Sequence, residues 1–205
     1  MKITRFVAVA LLLALVAGSL SAYVLLSPRR TWDGVPNLIV DNRGNSTITD
    51  GDGGASRIRN AIVSASSWNG AGTGTRINAT VGSIASFTLG DGVPMLNLRD
   101  PLGACTGSCL AATFTGYYTT RANGTRRITD ADMVTNTANN LATTGEACSG
   151  SEYYAEGIFV HEVGHLLGLG HSGTSGATMF PSVSACNNGP ATIETDDRNG
   201  INDLY

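Results

Sequence analysis

All three histidines of this 205-residue chain fall within residues 161–171, in the stretch HEVGHLLGLGH. Histidines with unrelated roles scatter along a sequence; three gathered so closely ask for a shared ligand. Positions four apart lie on one face of a helix, so His161 and His165 present two nitrogens to a single ion. Glu162, one step round the helix, is poorly placed as a third ligand. It can instead stand beside the ion and take the proton of a water held there. Gly168 follows, the residue type that most readily adopts the left-handed turn ending a helix. The chain can reverse there and bring His171 back to the same ion. Three neutral imidazoles with one open tetrahedral position describe a catalytic zinc site rather than a closed structural one. The expected chemistry is hydrolysis by a zinc-activated water, with Glu162 as general base and then general acid.

These side chains need a scaffold, and the hydrophobic pattern supplies its elements. Residues 36–41 (PNLIVD) read as a strand. Residues 53–68 carry Ile58, Ala61, Ile62, Ala65 and Trp68 at helical spacing, with Arg57, Arg59 and Ser64 opposite. Four short apolar or alternating runs follow at residues 76–81, 93–98, 110–118 and 127–136, separated by Gly, Asn, Asp and Pro. The histidine helix is expected to open near residues 149–152, where Ser-x-x-Glu matches a capping box, and to run to Gly168. A last helix spans about residues 195–204, with Asp196 and Asp197 at its positive end. Residues 27–31 read as a linker.

Composition bounds the setting. With 42% apolar and 14% charged residues the chain is a folded, loop-rich domain. Its net charge of −3 and the absence of any basic stripe speak against a nucleic-acid partner. Lys2 and Arg5 precede an apolar run from Phe6 and then small residues up to Ala22, the pattern of a secretory signal. Apolar character continues to Leu26, long enough to span a bilayer, so an uncleaved anchor remains the rival reading. Residues 1–26 are thus a leader or an anchor and residues 32–205 the catalytic domain. The protein is expected to be secreted, or membrane-anchored with its domain outside the cytoplasm. Four cysteines, Cys105, Cys109, Cys148 and Cys186, suit that oxidising setting and allow three pairings. The short spacing of Cys105 and Cys109 favours a small loop, leaving Cys148 with Cys186.

The zinc stretch as a whole resembles the extended motif of metzincin metallopeptidases. ATMFP resembles their Met-turn, with Met179 beneath the zinc, and Ser172 after the third histidine is the matrixin choice. RITDADMVTN (residues 127–136), LAATF (residues 110–114) and DDRNGINDLY (residues 196–205) resemble the matrixin strand before the active-site helix, the substrate-pairing edge strand and the C-terminal helix. The resemblance implies an α+β, metzincin-like catalytic domain. Its sheet would be twisted and mostly parallel, of about five strands, with three helices and a Met-turn after the active-site helix. It also implies a monomeric zinc endopeptidase acting on peptide or protein substrates. Leu110 and Ala111 would lie along the substrate backbone, and Pro181 and Val183 would wall the pocket for the side chain after the cleaved bond.

The departures carry expectations of their own. Ala112 and Asp132 stand where animal matrixins hold a second, structural zinc through histidine, so one zinc is expected. Asp91, Asp100, Asp130 and Asp132 supply oxygen atoms but no defined calcium loop, and Ca2+ is not indicated. No cysteine stands ahead of the first strand to occupy the zinc, as a matrixin propeptide does. Val183 falls where tyrosine is common, and Pro181 where some metzincins place a tyrosine ligand. Two other readings stay open: a non-catalytic, zinc-stabilised extracellular binding module, which would not need Glu162, and a zinc amidase acting on a cell-wall or other non-protein bond. The sequons at Asn45, Asn78 and Asn123 are the chance matches expected of a chain rich in Asn and Thr.

Overall fold

Leu38 and Val40 alternate with Asn37 and Ile39, and this period of two puts one face of strand β2 (Asn37–Asp41) fully into the core. Around it the protein, described by a computed structural model for residues 23–48, 53–72, 74 and 76–205, builds a six-stranded sheet. β2 pairs in parallel with β3 (Asn78–Gly82) on one side and β4 (Met95–Asn97) on the other. β4 pairs in parallel with β6 (Arg126–Thr135), and β5 (Ala111–Thr120) lies antiparallel along the far edge of β6. The short β1 (Arg30–Thr31) pairs in parallel with the start of β6. The mostly parallel sheet with three helices is the expected α+β architecture.

Register decides which side chains meet the site. Val40 stands opposite Leu96, Leu96 opposite Met133, and Met133 opposite Thr113. Because side chains alternate, these four form one row across a single sheet face. Helix α1 (Gly54–Val63) and helix α2 (Ala155–Leu167) cover that face, and Val40, Leu96 and Met133 join Ile58, Ile62, Phe159 and Val163 in one core. Helix α3 (Thr195–Leu204) adds Ile201 and Leu204 beside them. α2 is buried nearly all round, so burial rather than an amphipathic stripe holds it helical through Gly157 and Gly164.

Three boundaries differ from expectation. α1 stops at Val63 instead of reaching Trp68, because Ser64 turns extended and its hydroxyl accepts from Ser66 N–H, a local bond that competes with the helix. Trp68 opens a 3₁₀ turn (Trp68–Gly70) and donates its indole N–H to the Val160 carbonyl of α2. The histidine helix starts at Ala155, not at Ser149. Glu152 does accept from Ser149 N–H and Oγ–H, but inside a turn, and Tyr153–Tyr154 then extends as β8 to pair with β7 (Leu141–Ala142). Residues 30–31 of the expected linker form β1, which sequence could not reveal in a two-residue strand. The leader or anchor expected over residues 1–26 lies largely outside the described residues. No helix among the described residues is long and apolar enough to cross a membrane.

Candidate active site

His161 and His165 sit one turn apart on α2, as their spacing demands. Gly168 ends the helix at φ 110°, and its N–H and that of Leu169 close the turn onto the His165 and Gly164 carbonyls. A side chain at Gly168 would run into the Arg30 carbonyl, so both the left-handed backbone and the close approach require glycine. The reversal returns His171, and one nitrogen from each histidine lies within 4.8 Å of the other two. Among the described residues this is the one group of three or more His, Cys, Asp or Glu side chains gathered to hold a metal ion.

The surroundings suit a metal of imidazole preference. His161 Nδ1 lies 2.6 Å from the Thr178 carbonyl and His165 Nδ1 2.8 Å from the Leu169 carbonyl. A carbonyl only accepts, so both Nδ1 atoms donate, and each neutral ring keeps its lone pair on Nε2. Burial lowers the pKa of His161 to about 4, against the Thr178 carbonyl, and also lowers that of His165. Both are therefore held neutral, the form that ligates. The donor set fits zinc.

Glu162 is 6% exposed and lines the same cleft. Burial pushes its carboxyl above the usual range, while the neighbouring His165, the Thr113 hydroxyl and His171 pull it back. Met179 is buried against α2, where a side chain on Gly164, between the two helix histidines, would overlap its sulfur. The Met179 turn is held by Asp197, wholly buried at the start of α3. Asp197 accepts from Thr178 N–H at 2.7 Å, Met179 N–H at 3.0 Å and Glu194 N–H at 2.9 Å. Next to it Asp196 accepts from the Ser172 hydroxyl at 2.6 Å. Sequence reading credited these two acids only with favouring the helix dipole.

A cavity of about 550 Å³ opens beside the histidines. Leu110, Ala111, Pro181 and Val183 line it together with His161, Glu162 and His171, so every residue expected around a substrate is gathered there. Tyr153 and Ile158 line it too and were not anticipated; Tyr153 belongs to β8, an element invisible in the sequence. Of the four disulfide cysteines, Cys109 lines this cavity. Cys105–Cys109 precedes the start of β5, and Cys148–Cys186 ties the approach to α2 to the segment after the Met179 turn. β5 pairs only with β6, so its other edge has no partner strand among the described residues.

Ala112 and Asp132 lie on the sheet face away from the helices, Ala112 opposite Val134 and Asp132 opposite Phe114. There Asp132 accepts from Met95 N–H at 3.2 Å and Asp130 from Gly90 N–H at 2.6 Å.

Residues 105–205 match the family model described as Matrixin. Over 52 residues the chain is 50% identical to Metalloendoproteinase 5-MMP of Arabidopsis thaliana, covering 24% of this chain and 14% of that protein. Over 55 residues it is 44% identical to Metalloendoproteinase 1 of Glycine max, covering 27% of this chain and 18% of the relative. Matrix metalloproteinase-25 of Mus musculus is 44% identical over 50 residues, 23% of this chain and 8% of its own length. The matched stretches thus span less than a fifth of these relatives.

Proposed function

This chain belongs to the matrixin family by residues 105–205, and from that premise we propose that it is an exported, zinc-dependent endopeptidase. The observation that carries the reading is the triad His161, His165 and His171, its two helix imidazoles oriented by backbone carbonyls, with Glu162 beside it in an open cleft. The three histidines would hold the zinc, which when bound supplies Lewis-acid chemistry: an acidified water and a polarised carbonyl. Glu162 accepts the proton of the attacking water as its oxygen bonds to the scissile carbonyl carbon. The same carboxyl then delivers that proton to the amine as the carbon–nitrogen bond breaks. The unpartnered edge of β5 suits an extended peptide added as a further strand. The cavity between Leu110 and Val183 suits an apolar side chain on the far side of the cleaved bond.

The test is digestion of a mixed peptide library by the zinc-loaded protein. Cleavage is expected to stop with a chelator and to fall by at least about a hundredfold in Glu162→Ala, which still binds zinc. Zinc binding without cleavage by the unaltered chain would favour a non-catalytic binding module instead.

A further inference from the structure

We propose that Thr113 is the positioning residue for the Glu162 carboxylate, an inference that rests on the peptidase reading above. Nothing in the covalent geometry of a glutamate fixes the plane of its carboxylate, since its last torsion is broad and roughly two-fold. A general base with an unfixed carboxylate spends much of its time turned from the water it must deprotonate. In this protein the Thr113 hydroxyl lies 2.6 Å from Glu162 Oε2 and 3.1 Å from the Glu162 carbonyl oxygen. A hydroxyl has one proton to donate. The shorter contact lies in the range of a charge-assisted O–H···O⁻ bond, so the proton goes to the carboxylate. Oε2 is thereby pinned, and the other oxygen is left for the water.

The donor is itself held. Thr113 stands in the row Val40, Leu96, Met133, Thr113 that faces α2, and its β-branched side chain is restricted at χ1. A slip of one residue between β5 and β6 would turn the hydroxyl to the other sheet face, where Ala112 and Phe114 point. The strand that offers its open edge to a peptide therefore also carries the group that aims the base. Among the described side chains of β5, Thr115 also makes a bond on this face, accepting from Arg30. The bland account is a half-buried threonine that satisfies its hydroxyl on the nearest oxygen, and the two accounts predict different kinetics.

Thr113→Val keeps the shape and removes the donor; Thr113→Ser keeps the donor. For the zinc-loaded enzyme on a peptide substrate, Thr113→Val is expected to lower kcat about tenfold with KM within about twofold and zinc content unchanged. Thr113→Ser should return kcat to within about threefold of the original. Independently of activity, the metal-free protein should show non-additive urea midpoints for Thr113→Val and Glu162→Ala against the double variant. Unchanged kcat in Thr113→Val, failure of serine to restore it, or additive midpoints would each overturn the proposal. If the unaltered chain binds zinc but cleaves nothing, the peptidase reading fails, and the positioning role falls with it even where the midpoints show the hydrogen bond.

Discussion

Gly164 lies on α2 between the two helix histidines, and its lack of a side chain is used at once by two neighbours. A Cβ there would overlap the Met179 sulfur and come within 2.7 Å of Trp68 Cζ2. The helix carries a poor helix former at this point so that the Met179 turn and the Trp68 indole can close directly on its backbone. Gly164→Ala would have to push one of them away, and Met179 is the one that leads back to Thr178, whose carbonyl orients His161. Overpacking of this kind costs about 1–3 kcal/mol. Gly164→Ala should therefore lower the urea midpoint by a corresponding amount and shed zinc to a competing chelator sooner than the original. A variant with unchanged midpoint and zinc retention would show that the packing of Met179 and Trp68 on α2 yields freely.

At the scale of elements, the Cys148–Cys186 disulfide does for loops what register does for strands. It closes a loop of sequence separation 38 that contains all of α2, His171 and Met179. Cys186 N–H also donates to the Glu152 carbonyl at 2.9 Å, so the cavity wall through Pro181 and Val183 is fastened just before α2 begins. In the chain-entropy account such a loop contributes about 4 kcal/mol. Replacing both cysteines by serine should lower stability by up to that amount. It should also raise KM for peptides more than it lowers kcat, because the wall moves while His161 and His165 stay on their helix. A loss confined to kcat would argue against the wall as the part released. The elements themselves were unevenly legible. α3 and the long strands β5 and β6 stood out because their patterns repeat over ten residues each. The zinc stretch was legible to single residues, since His spacing, Gly168 and Ser172 are local requirements. β1, β7 and β8 have two residues each, too few for any period, and are made by pairing partners distant in sequence. For that reason Tyr153 was missed at the cavity. Thr113 was missed for a related cause: LAATF shows one polar residue among apolar ones, but only the pairing with Met133 shows which way it points.

Across the whole molecule, the sheet separates two kinds of buried acid. On the helix-covered face Glu162 belongs to the proposed chemistry. On the opposite face Asp130 and Asp132 are nearly inaccessible and lie side by side, and Asp130 Oδ1 and Asp132 Oδ2 receive no donor from the rest of the described fold. Burial, with Asp130 alongside and Asp91 in the loop beyond, raises the pKa of Asp132 to about 8, while the bond from Met95 N–H works the other way. The folded protein therefore keeps a proton that the unfolded chain gives up above about pH 4. The stability linked to that proton is complete below about pH 4 and is lost as pH climbs through about 8. Asp132→Asn cannot titrate, yet its side-chain oxygen can still accept from Met95. Its urea midpoint should gain on that of the original protein between pH 5 and about pH 8 and level off above that, both measured with zinc bound. Because the acids lie on the far face, kcat should keep the original pH profile in this variant. Parallel midpoint curves would mean that Asp132 is already ionised in the fold, and a shifted kcat profile would mean that the two faces of the sheet are electrostatically coupled.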